Sequence, residues 1–182
     1  MRTRYRFSLL MIAAIAGVTT GVNAMAAESF ETLATSVSKP VALGAGPVAV
    51  TLAPVAGSAA SLSARTATVR QGRKVYLVVR GLGTNEQPEV TYQVYLALPE
   101  GAVPSPDGPH YVGSLNFFNA MSYGGAKHGR DPRFFSFDVT NLLKTLQSRK
   151  SLGDVATVTI VPTATPRASA KPVIGEIALV EQ

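Results

Sequence analysis

Two histidines, one methionine and a group of aromatics between positions 110 and 130 are where chemistry would sit in this sequence. His110 and His128 are the only histidines, and Met121 lies between them. Imidazole and thioether together suit copper in either oxidation state. His110, Met121 and His128 alone would hold copper weakly or transiently, because the chain has no third histidine and no cysteine to add. A Ser-His-Asp triad would need one of these histidines beside an activated serine, and no Gly-x-Ser-x-Gly elbow is present. The local His/Cys spacings of a zinc site are missing as well. Gly81-Leu82-Gly83 follows an apolar run, but no third glycine opens a phosphate-cradling helix after it. Asp107, Asp131, Asp138 and Asp154 stand in turn or cap contexts, with Asp107-Gly108 and Asp131-Pro132 as turn signals. No catalytic constellation emerges. The chain is expected to be no enzyme and to need no cofactor of its own.

The segment around these residues, 116–132, combines Phe117, Phe118, Met121, Tyr123, His128 and Arg130 with several glycines. A long Gly-rich connection between strands is where binding usually resides. The candidate partner contacts are therefore His110, Tyr111, Phe117, Phe118, Met121, Tyr123 and His128.

The elements that must position them are short and β-like. Residues 66–70, 74–80, 91–98, 111–118, 133–139, 156–162 and 173–180 are alternating or β-branched and aromatic runs, bounded by Gly, Pro, Asn and Asp. That punctuation predicts an all-β, antiparallel β-sandwich of jelly-roll or Greek-key type, with edges in the Pro-bounded runs. Leu142, Leu143 and Leu146 share a helical face, so 140–147 is expected as one short connecting helix. Thr140 is placed to cap its start through the hydroxyl, with Gly153 beyond its end. Residues 25–60 are rich in Ala, Ser, Val, Gly and Pro. They read as a low-complexity N-terminal arm with one edge strand at 48–52, preceding a domain over 61–182.

The first 24 residues stand apart. Arg2, Arg4 and Arg6 precede an uncharged apolar run from 7 to 18, and small-x-small sites end at Ala24 and Ala26. This is the pattern of a secretory signal peptide, too short to span a bilayer. The chain is expected to be exported, to the periplasm or medium, and to keep no membrane span. Setting the three leader arginines aside leaves 14 basic groups against 11 acidic ones. They are scattered, which argues against nucleic-acid binding. The absence of cysteine excludes disulfides, thiolate metal sites and thiol nucleophiles.

The runs 75–82, 91–96, 109–115, 137–143, 158–162 and 173–177 also follow a familiar order. Taken together, from about Lys74 to Val180, they resemble the C-terminal domain of tyrosinases and plant polyphenol oxidases, sometimes named for its Lys-Phe-Asp-Val motif. The chain departs at that motif, where Thr91-Tyr92-Gln93-Val94 stands. In that family the domain is a β-sandwich that packs over the copper entrance of a helical dicopper domain and can hold the enzyme latent. The dicopper domain uses six histidines, and this chain has two. The resemblance thus implies an accessory protein acting with a separately encoded dicopper phenol oxidase. The alternative is a stand-alone module binding a small ligand or copper.

Overall fold

The structure is a computed structural model that describes residues 30–37, 39–55, 60–69, 71–118, 120 and 134–182. The expected signal peptide lies outside the described residues. The fold is all-β and antiparallel. Strands β1 (Glu31–Ser36), β3 (Val48–Pro54), β4 (Val75–Arg80), β5 (Tyr92–Leu96), β6 (Tyr111–Leu115), β7 (Phe134–Asp138), β8 (Ala156–Pro162) and β10 (Glu176–Glu181) build one eight-stranded sheet. Their order is β6-β5-β8-β3-β1-β10-β4-β7. A small second sheet pairs β2 (Val41–Ala42) with β9 (Val173–Ile174). Among the described residues no helix is long and apolar enough to cross a membrane.

The eight strands curl around a single core. Alternation sets which side chains enter it, since successive residues of a strand face opposite ways. Val75, Leu77 and Val79 of β4, Val94 and Leu96 of β5, and Ile177 and Leu179 of β10 all point inward and are buried. The sheet is nearly closed: its two outermost strands, β6 and β7, approach each other without pairing. Gly113 of β6 lies against the Phe137 ring of β7, and a side chain there would have no room.

Residues 31–54 correct the expectation of an arm with one edge strand. β1 lies between β10 and β3, and β3 lies between β8 and β1, so both are interior strands. Leu33, Val50 and Leu52 from this stretch are core residues. Two features concealed them. A bulge between Thr32 and Ala34 breaks the alternation of β1, burying Leu33 and Ala34 side by side. Pro54 sits at the last position of β3, where a missing N–H interrupts no ladder.

The expected strand at 66–70 is also corrected. Residues Leu62–Ala67 form helix α1, capped by Ser61, whose Oγ accepts the Ala64 N–H at 3.1 Å. The Thr66 hydroxyl turns back onto the Leu62 carbonyl at 3.0 Å instead of joining a sheet. Gln147 Nε2 donates to the Ser63 carbonyl and to Thr66 Oγ1, tying α1 to the second helix.

That second helix, α2 (Thr140–Ser148), is the one expected, with different ends. The Thr140 hydroxyl accepts the Val75 N–H at 2.9 Å and is not the cap. Asp138 instead takes the Thr140 N–H at 3.0 Å. At the C-terminus the Ser151 backbone N–H donates to the Leu146 carbonyl and the Lys150 backbone N–H to that of Gln147, each at 2.9 Å, a Schellman closure. Lys150 holds the left-handed position with φ 55°, a conformation usually given to glycine. Gly153 serves elsewhere: its carbonyl accepts the Ser63 N–H.

Asp138 joins strand, helix and Lys74, whose ammonium lies 2.9 Å from its carboxylate. Hydrogen bonds from Thr140, then the Lys74 ammonium, push this carboxyl from its ordinary 3.8 down to about 2. The folded state therefore binds fewer protons than the unfolded chain between these values, and stability rises with pH there. The contribution is complete above pH 3.8 and is lost as pH falls toward 2. The side chain is 40% exposed, so solvent screening limits it to about 1 kcal/mol. Urea unfolding from pH 2 to 5 should show a shallower acid limb for Asp138→Asn than for the wild type; identical limbs would refute this assignment. Glu176, also held low by Lys39 and Thr35, contributes the same sign to both proteins and cancels in the comparison.

Candidate functional site

β6 carries the sequence candidates at its two ends. His110 precedes the strand and closes its hairpin with β5: its carbonyl accepts the Leu96 N–H at 2.9 Å, and its Nδ1 lies 3.0 Å from the Leu96 carbonyl. Only Nε2 of the ring is left for another role. Tyr111 begins the strand; its hydroxyl meets Ser114 Oγ at 2.9 Å, and its ring sits edge-on to Tyr95 at 5.6 Å.

At the other end, about 16 Å along a five-residue strand, the chain presents Phe117 and Phe118. The Asn116 carboxamide accepts the Phe118 N–H at 3.1 Å, a local turn that sends the two rings opposite ways. Phe117 is 1% exposed and packs edge-on against Tyr92 at 5.5 Å. It is a core residue, which corrects its place among the partner contacts. Phe118 is 69% exposed. Met121, Tyr123 and His128 lie outside the described residues, so of the copper set only His110 is placed. Among the described residues no three His, Cys, Asp or Glu side chains group to hold a metal ion.

Phe118 borders an open cleft of about 380 Å³. Pro88 and Val90 form its apolar wall, and Thr91 and Thr163 its polar one. The wall is rigid where the threonines meet: the Thr163 N–H donates to the Thr91 carbonyl at 2.9 Å, and the two hydroxyls lie 3.2 Å apart. The Tyr92 hydroxyl is buried without a partner among the described residues, and burial pushes its pKa up.

A second cleft, of about 400 Å³, lies on the outer face of β10, β4 and β7. The ladders place Arg80 opposite Phe134 and Glu176, Val78 opposite Ser136 and Ala178, and Tyr76 opposite Asp138 and Val180. Val78, Ala178 and Val180 are buried on this outer face, forming a small apolar cluster with Tyr76. Sequence reasoning singled out none of these residues. The available signal was the unbroken apolar run Val75 to Val79, which marks a strand covered on both faces.

The fold is an antiparallel β domain with one open cleft at its end and another on its outer sheet face. Over residues 29–182 the chain matches the family described as a domain of unknown function, DUF7868, and belongs to it. Among solved structures it is similar to latent apple tyrosinase, at 19% identity and a TM-score of 0.49, over 78% of this chain and 27% of that one. It is similar too to a latent aurone synthase, a polyphenol oxidase, at 19% identity and a TM-score of 0.48. That match covers 78% of this chain and 25% of the other, so the chain spans about a quarter of these solved proteins. No curated protein matches it.

Proposed function

We propose that this protein is an exported, non-catalytic docking domain that acts with a separately encoded dicopper phenol oxidase. The observation that carries the reading is Phe118, a large aromatic held out in water at the rim of a cleft whose polar wall is tied together by Thr91 and Thr163. Exposing such a ring beside an apolar wall costs solvation that a partner surface recovers. The end bearing Phe118 is the contact face, with Pro88 and Val90 beside it. The partner class rests on the order of sequence runs between Lys74 and Val180, and export on the basic and apolar leader. On this reading any copper belongs to the partner, and the domain limits access to it.

The test is affinity capture of the tagged protein from the medium or periplasm of its own cells, with mass spectrometry of what co-elutes. The expected result is a dicopper phenol oxidase in near-equal amount, lost when Phe118 is replaced by Asp. A capture that yields no such enzyme, or one equally strong with Phe118→Asp, would overturn the proposal.

A further inference from the structure

We infer that the outer-face cleft of β10, β4 and β7 is a binding site for a small apolar carboxylic acid, anchored by Arg80. Its volume of about 400 Å³ falls in the range of small-molecule sites, roughly 300–1,000 Å³. Its floor is Val78 and Val180, and aromatic rings stand around it. Phe30 and Phe134 are 67% and 64% exposed, so the protein itself covers only about a third of each. Arg80 and Tyr76 are four residues apart on one strand face, which makes the cleft roughly 13 Å long. One end is cationic at Arg80 and the middle is apolar, with the Ser136 hydroxyl and Gln182 as the other polar lining groups.

Charge fixes the ligand's polarity. At the Tyr76 end Lys74 pairs with Asp138. At the other end Glu176 faces Arg80 across the ladder and feels its charge, but its Oε1 already accepts from the Lys39 ammonium and the Thr35 hydroxyl. Lys39, Glu176 and Arg80 together leave one positive charge in excess. Arg80 has no ion pair among the described residues, and a guanidinium presents a planar fork suited to a carboxylate. A carboxylate at Arg80 with a flat apolar body lying over Val78 and Val180 toward Tyr76 satisfies both halves of the cleft. A neutral ligand of the same shape would leave the Arg80 end unused.

The experiment is calorimetric titration of the purified protein with 4-phenylbutanoate and with the neutral 4-phenylbutan-1-ol. The acid should saturate a single site and bind at least tenfold more tightly than the alcohol. Arg80→Gln should weaken the acid by about 10- to 100-fold, the worth of a charge-assisted hydrogen bond, and change the alcohol little. Phe134→Ala, which removes a wall without touching the charge, should weaken both. Circular dichroism of each variant confirms that it is folded; both positions are exposed on the sheet surface. The inference fails if neither probe saturates, if acid and alcohol bind alike to the wild type, or if Arg80→Gln binds the acid as the wild type does.

Discussion

Replacing Leu52 with Ala lowers the unfolding free energy by about 3 kcal/mol, the usual cost of removing a buried leucine side chain and leaving a cavity. Leu52 has no exposed surface and lies midway around the sheet, opposite Ala156 on one side and Ser36 on the other. Those two strands hold the backbone on both sides, so the site cannot collapse to fill the space. Thr51, its neighbour on the exposed face, serves as control: Thr51→Ala should stay within about 0.5 kcal/mol. Urea unfolding followed by circular dichroism measures both. Were residues 31–54 an arm outside the core, Leu52→Ala would behave like Thr51→Ala, and the interior placement of β3 would be wrong.

The second large effect belongs to Gly113. A Cβ at this position would lie 2.5 Å from Phe137 Cε1 and 2.7 Å from Cδ1, well inside van der Waals contact. To make room Phe137 must move, and its ring would give up its stacking on Phe135 at a centroid distance of 6.2 Å. Gly113→Ala should therefore cost about 2–3 kcal/mol, the upper part of the usual range for overpacking. The cost arises where β6 meets β7, so a smaller residue across the gap should relieve it. In a Phe137→Leu background the same Gly113→Ala change should cost at least about 1 kcal/mol less, read as coupling in a double-mutant cycle. Additive losses would place the clash elsewhere.

These two positions also mark what could be read from the residues alone. β4 and β10 were legible as runs rich in β-branched and apolar residues bounded by glycines, from Val75 to Val79 and from Ile177 to Val180. Helix α2 was legible from its leucine spacing, although its cap was not: Asp138 and Thr140 can both cap, and the choice depends on where Val75 lies. β1 was hidden by a bulge, whereas β3 was legible as a strand at 48–52 but not as an interior one, which only its pairing with β8 and β1 shows. Thr66 illustrates the opposite error, a β-branched residue drawn into helix α1 by the Ser61 cap and by Gln147.

The candidate site divides in the same way. Phe117 and Phe118 are adjacent and alike, and composition cannot separate them. Strand register does: Leu115 is buried, so Phe117, two residues on, continues inward and Phe118 faces out. The outer-face cleft was beyond reach for a different reason. Phe30, Val78, Phe134 and Val180 come from four separate segments, and only the ladders of β4 with β7 and β10 bring three of these together.

The most direct measurement is hydrogen exchange on the protein alone and mixed with the dicopper phenol oxidase proposed as its partner. The account predicts new protection concentrated at Asn116–Phe118 and along 87–91, the two sides of the cleft that Phe118 borders. Protection confined to the opposite end of β6 at His110 and Tyr111, or no change anywhere, would contradict it.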